Sequence, residues 1–350
     1  MTSPSSSIRG LAIWRVFQVA LAAAGVALLP TLIWMPDLGI DLFWNILIPV
    51  APAVLVLIPG VWRNICPMAT AGLLPRHFGF SRRITMPQAL RSIFVIISLV
   101  ALLLIVPFRH AVLNTDGPAT ALMLAIAAIT AFLLGTRYEW RSAWCSSLCP
   151  IHPVEKLYGT VPAITVPNVH CTQCEKCVAP CPDSTHKMTP MITNTNKSEK
   201  TVGRLLVGGF FGYVYGWYQV PDYFGAMTSM EWTIAFAWPF GGFVVSYLIF
   251  CALMKIIPKQ DHMFLIRIFA MAAVSTYYWF RLPMLFGYAE LPNNSTLIDL
   301  TGTLPVWFPE ASQVATTLFF AWFMLVRKRK TSWTARPAYS EAAAASVLTT

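Results

Sequence analysis

Charge is scarce in this chain. Asp, Glu, Lys and Arg together make up 11% of its 350 residues, where an average soluble domain carries roughly 25%. A water-facing surface along the whole length is thereby excluded. Histidine is scarce too, at positions 77, 110, 152, 170, 186 and 262. All of these fall in loops or at helix ends in the topology derived below, so haem, which would need axial imidazoles within the helices, is not expected. No Gly-rich phosphate loop, dinucleotide fingerprint or hydrolytic triad stands out, which narrows the enzymatic options to few.

Apolar residues fill the gap, at 56% of the chain with a mean hydropathy of +0.60. A helix needs about 20 mostly apolar residues to cross a hydrocarbon core. Candidate runs lie near 11–33, 42–60, 91–107, 119–135, 205–220, 232–254, 264–287 and 312–326. The expected fold class is an all-α polytopic membrane protein of about eight transmembrane helices with a small ferredoxin-like cytoplasmic insert. The length of the first run and Arg15 within it favour a retained anchor over a cleaved signal peptide. Gly208, Gly212 and Gly216 recur at the spacing of one helix face, which predicts close helix–helix contact.

The net charge of +10 is distributed as a topology signal. Arg63, Arg76, Arg82 and Arg83 follow the second run. A basic group from Arg137 to Arg204 follows the fourth, Lys255 and Lys259 follow the sixth, and Arg327, Lys328, Arg329 and Lys330 follow the last. The other loops carry mainly acids, among them Asp37, Asp116, Asp222, Glu290 and Glu310. By the positive-inside rule both termini and the cysteine-rich loop face the cytoplasm of a bacterial inner membrane. Basic residues spread over every inner loop do not form a nucleic-acid stripe, so no nucleic-acid partner is expected. The expected division is 1–135 for helices 1–4 with a Cys66–Pro67 loop, and 136–204 for a cytoplasmic iron–sulfur segment. Residues 205–330 give helices 5–8 and 331–350 a flexible cytoplasmic tail.

The chain contains eight cysteines. Cys171, Cys174, Cys177 and Cys181, followed by Pro182, form the C-x2-C-x2-C-x3-C-P run that bacterial ferredoxins use for [4Fe-4S] ligation. Zinc usually takes two separated cysteine pairs, and disulfides are disfavoured in a reducing cytoplasm. In two-cluster ferredoxins the last cysteine of such a run serves the other cluster, so one cluster or two remains open. Cys145 and Cys149 lie in "WCSSLCPIHP" and Cys66 in "WRNICPMATAG", segments that look like a repeat, with Trp62 standing where the second copy has Cys145. These three cysteines are candidates for a second cluster, for a redox dithiol, or for packing. Cys251 is a small buried hydrophobe or a further ligand.

In motif order, residues 42–182 resemble the membrane-bound ferredoxin-type [4Fe-4S] electron-transfer proteins of the NapH/NosR type, associated with periplasmic nitrate reduction and nitrous oxide respiration. In those proteins Cys-x3-Cys-Pro motifs at cytoplasmic helix ends precede ferredoxin-like cysteine runs. The present chain has only Cys66–Pro67 in the first copy and one full run, and its helices extend past residue 204. The resemblance implies a non-catalytic electron-transfer component of an oxidoreductase system.

A membrane-mounted cluster suggests exchange with quinone or with a partner oxidoreductase in the same lipid. Candidates for a quinone site are Arg281, Tyr277 and Tyr278, in the seventh run, and His110 beside Arg109, because an ionisable residue inside a span is a functional hypothesis by default. Arg281 could equally snorkel or pair with Glu290. The expected function is relay of electrons between the quinone pool or a cytoplasmic donor and a partner oxidoreductase. The alternatives are a structural or assembly subunit of a larger redox complex, or a thiol-based redox sensor.

Overall fold

Proline sets where the helices break. In the computed structural model, which describes residues 4–138, 141–167, 169, 189–191, 196–327 and 334–335, the helices follow in order. They are α1 (Pro4–Trp34), α2 (Pro36–Leu57), α3 (Pro59–Ile65), α4 (Pro67–His77), α5 (Gln88–Leu113), α6 (Gly117–Arg137), α7 (Arg141–Leu148) and α8 (Ile151–Tyr158). After these come α9 (Lys197–Trp217), α10 (Ser229–Ile256), α11 (His262–Leu285) and α12 (Phe308–Ala321). Proline disfavours helical torsions in the residue before it, and Met35, Ile58 and Cys66 each leave the helical region just ahead of Pro36, Pro59 and Pro67. Each of these prolines then takes the first position of the next helix, where its missing N–H costs nothing.

The chain is an all-α protein among the described residues, apart from minimal β pairing. Six of its helices are long and apolar enough to cross a membrane: α1, α2, α5, α6, α10 and α11. The apolar runs near 205–220 and 312–326 are also helical, as α9 and α12, but neither is among the six. The first turn of α9 carries Lys197, Glu199 and Lys200, which lowers its apolar character. The second, α12, is 14 residues long and continues as a wider π-helical segment, Trp322–Val326. Thr334–Ala335, within the segment expected to be a flexible tail, pairs in parallel with Val166–Pro167.

The largest core cluster joins α9 to α10 and α11, with Leu206, Tyr213 and Phe250 fully or almost fully buried. Small residues let α9 and α10 touch backbone to backbone. A Cβ on Gly212 would run into the Gly242 carbonyl, and one on Gly216 into the Trp238 carbonyl. Ser246 Oγ donates to the Gly208 carbonyl at 2.6 Å across the same seam. The glycine face is therefore a packing surface, as its spacing suggests. Gly212→Leu is expected to force these helices apart at a cost of about 1–3 kcal/mol or more, read as a lower apparent melting temperature of the detergent-solubilised chain.

The two Cys-Pro segments do form a structural repeat, a short helix, a Cys-Pro turn and a second short helix, in α3–α4 and in α7–α8. Their depth differs from the expected helix-end placement. Ser98 Oγ donates to the Cys149 carbonyl at 3.0 Å. Ser98 lies ten residues into α5, about 15 Å along its axis at 1.5 Å per residue. On the other copy, Ala69 and Leu73 of α4 pack with Ala131 of α6, and Gly72 meets Gly135. The Cys149 turn thus folds back against α5, while α4 lies along the last two turns of α6. Non-helical backbone among apolar spans is tolerated only where protein surrounds it or a cavity needs it.

Candidate functional site

Cys66, Cys145 and Cys149 come together. They belong to one apolar cluster with Ala69, Leu73, Ala131 and Trp144, Cys145 buried and the other two half-buried. All three are free thiols. Among the described residues no three His, Cys, Asp or Glu side chains form a group that could hold a metal ion. Burial is the largest influence on Cys66 and Cys149 and pushes both thiols up from their ordinary range. A protonated thiol is a poor nucleophile and a poor redox partner.

Beside them stands a buried polar triad. Arg63, next to the first turn, donates from Nη2 to His152 Nδ1 at 3.0 Å and places Nη1 3.4 Å from Glu155 Oε2. A guanidinium only donates, so His152 Nδ1 is the acceptor and the neutral ring keeps its proton on Nε2. The 3.4 Å approach of His152 Nδ1 to Glu155 Oε2 is then a contact between two acceptors. Burial, followed by the Arg63 charge, lowers His152 to about 3. For Glu155 burial acts upward, and the Arg63 guanidinium outweighs it to hold the carboxyl below its usual range.

Both groups lose protons relative to the unfolded chain, so both destabilise the fold in acid. Between the ordinary value of 6.5 and about 3, unfolded His152 binds a proton that the native ring refuses, and stability falls as pH drops through that window. Glu155 stabilises above the ordinary carboxyl range, and its share is lost as pH falls through its lowered native value. We expect the apparent melting temperature to rise from pH 4.5 to 6.5, with a limiting slope of about 1.4 kcal/mol per pH unit from His152. His152→Asn, which keeps an acceptor for Arg63, should flatten that slope in thermal melts across the range.

Cys171, Cys174, Cys177 and Cys181 lie outside the described residues. The flanking chain is tied to the same region. Val169 N donates to Asn64 Oδ1 at 3.3 Å, two residues before Cys66, and Ala163 N donates to the Leu57 carbonyl at 2.6 Å. On the far side, Gly203 of α9 packs against the Pro190 carbonyl. Glu199, buried at the start of α9, accepts from Gln88 Nε2 at 2.8 Å and from Ser92 Oγ at 3.2 Å. Cys251 is separate, half-buried on α10 with Arg204 Nη2 3.5 Å from its sulfur.

The residues proposed from sequence for a quinone site divide. Tyr278 Oη donates to the Pro49 carbonyl at 2.6 Å and accepts from Ala53 N at 3.0 Å, so it pins α11 to α2. His110 is committed as well. Its Nδ1 lies 2.6 Å from Asp222 Oδ1, its Nε2 2.8 Å from the Trp217 carbonyl, and its ring stacks on Trp217 at 4.3 Å. Both nitrogens face acceptors, since Asp222 also accepts from Asn114 Nδ2 and the Asn294 N–H. Neither nitrogen is left for a ligand. Burial acts upward on Asp222, but these hydrogen bonds, that of His110 foremost, hold its carboxyl low.

Arg281 is not paired with Glu290. It is fully buried and donates from Nη2 to the Trp44 carbonyl and to Asn45 Oδ1, both at 2.7 Å. Tyr277 lies beside it, and so does Arg109, whose guanidinium stands 4.2 Å from the Trp44 ring and 4.7 Å from Trp217. In the sequence Arg109 stands out only as the neighbour of His110. The overlooked signal was an arginine at the end of an uninterrupted apolar run, opposite a second arginine on another helix. Tyr158 of α8 neighbours Tyr278 and Tyr277, which links the Cys-Pro repeat to this arginine group. No family model, curated protein or solved structure matches the chain.

Proposed function

We propose that the chain is a membrane-anchored [4Fe-4S] electron-transfer protein of the NapH/NosR type. It relays electrons between the quinone pool, or a cytoplasmic donor, and a partner oxidoreductase. The observation that carries this reading is the C-x2-C-x2-C-x3-C-P run, whose upstream flank is hydrogen-bonded to Asn64 beside the repeated Cys-Pro turns. The cluster, held by Cys171, Cys174, Cys177 and Cys181, would supply one-electron storage. The described flanks of that run, Val169 and Pro190, are tied to Asn64 and to Gly203 of α9, which supports a role in presenting the cluster to partners. The distribution of Lys and Arg over the loops supports a cytoplasmic placement of this end and of both termini in a bacterial inner membrane.

Burial of Cys66 and Cys149 with protonated sulfurs speaks against the thiol-sensor alternative. The test is iron and acid-labile sulfide on chain purified without oxygen, with low-temperature EPR before and after a quinol analogue is added. About four irons per chain and a reduced-cluster signal raised by quinol support the relay. Iron-free chain, or a cluster that no quinol and no cytoplasmic donor reduces, would sink it.

A further inference from the structure

Five buried donor atoms converge where α5, α9 and α11 meet, and none has an acceptor. They are Arg281 Nε and Nη1, Arg109 Nη2, and the hydroxyls of Tyr218 and Tyr277. Arg281 is 0% exposed, Arg109 5%, Tyr218 6% and Tyr277 9%. The four side chains are mutual neighbours, Arg109 with Arg281, Tyr277 and Tyr218, and Tyr218 with the other three. The two tyrosine rings are 6.0 Å apart, centre to centre. The Tyr277 hydroxyl stands within reach of the Arg281 guanidinium, outside good hydrogen-bond geometry.

The nearest carboxylates at the same place, Asp222 near Arg109 and Asp41 near Arg281, are taken up by other groups. Asp222 is engaged by His110, Asn114 and Asn294, and Asp41 is separated from Arg281 by the Asn45 amide, which donates to it at 2.7 Å. Neither guanidinium has an ion pair among the described residues. Like charges in a low-dielectric interior repel strongly, and a buried donor without an acceptor costs free energy that water regains only in part. Bound water would satisfy the donors and leave the charge. An anion does both.

We propose that Arg109, Arg281, Tyr218 and Tyr277 form a binding site for a compact anionic acceptor. Trp44 and Trp217 cover Arg109, so a ligand meets the N–H edge of the guanidinium. A halide or small oxyanion fits that edge, and so does the oxygen of a semiquinone, or of a quinol that gives up its proton on binding. The quinone source rests on the relay function above; the free anion does not.

The experiment uses the full chain in detergent with gluconate as the only other anion. Bromide, and separately a short-chain quinol analogue, are titrated by calorimetry at constant ionic strength. Saturable binding is expected for at least one probe. It should weaken about tenfold or more in Arg281→Gln, as loss of a charged hydrogen bond implies, and severalfold in Tyr277→Phe and Tyr218→Phe, which keep the ring packing if the arginine variant fails to fold. Bromide binding that the quinol does not displace assigns the site to a free anion, and displacement assigns it to the quinone oxygen. No saturable binding of either probe, or binding unchanged in the tyrosine variants, overturns the proposal. Cys174→Ser should leave binding intact, which separates this site from the cluster assignment.

Discussion

Cys174→Ser is expected to remove nearly all iron and acid-labile sulfide from the purified chain while it still inserts and elutes as the parent does. Ferredoxin-type cubanes are held by four thiolates, and a run of this spacing supplies all four of them or three with one donated elsewhere. On either count Cys174, in the middle of the run, would be a ligand of the proposed cluster. Serine offers a harder oxygen that stays protonated at neutral pH, so one corner of the cube opens to water and oxygen. The comparison that gives this result its meaning is Cys66→Ala, with Cys149→Ala beside it. Their thiols pack among Ala69, Leu73, Ala131 and Trp144 and form no metal-holding group among the described residues. These variants should keep the iron content and lose about 1 kcal/mol of stability, as a small buried truncation does. Iron falling to half in Cys66→Ala would instead make that thiol a ligand of a second cluster. Cys251→Ala, away on α10 beside Arg204, should change neither quantity.

The helical class was legible because membrane helices announce themselves by length and apolar content, which need no knowledge of tertiary contacts. The glycine seam was legible for a similar reason: a four-residue period places Gly208, Gly212 and Gly216 on one face, and such a face means close approach. The depth of the Cys-Pro turns was not. Hydropathy treats α4 and α8 as loop because each is short, 11 and 8 residues, and only folded contacts, Ala131 of α6 for α4 and Ser98 of α5 for the Cys149 turn, show where the two segments pack. The arginine cluster was half legible. Arg281 stood out as an ion within a span, but its partners come from the other end of the sequence: Trp44 and Asn45 on α2, Arg109 on α5. Only the folded chain brings them together. His110 and Tyr278 had plausible chemistry as ligand groups, and the fold spends that chemistry on Asp222, Trp217, Pro49 and Ala53.

Breaking the Arg63–Glu155 pair should be among the most damaging single changes that leave the cysteines untouched. Both side chains are almost wholly buried, at 5% and 2% exposure, with Nη1 and Oε2 3.4 Å apart. Removing one partner from a buried ion pair leaves the other charge in a poor solvent, at a cost of about 3–5 kcal/mol. Glu155→Gln is therefore expected to lower the thermal midpoint sharply, and Arg63→Met to do so at least as much, because Arg63 also serves His152 and makes further contacts with the chain. The pair as a whole is worth far less than either loss suggests, since forming it already carried the desolvation of both ions. The double variant Arg63→Met with Glu155→Gln should thus recover part of the midpoint lost in the two single variants, with a coupling of about 1–3 kcal/mol in the thermal cycle. Additive losses would mean that the two side chains act independently, and that the triad beside the Cys-Pro turns is held by its other contacts.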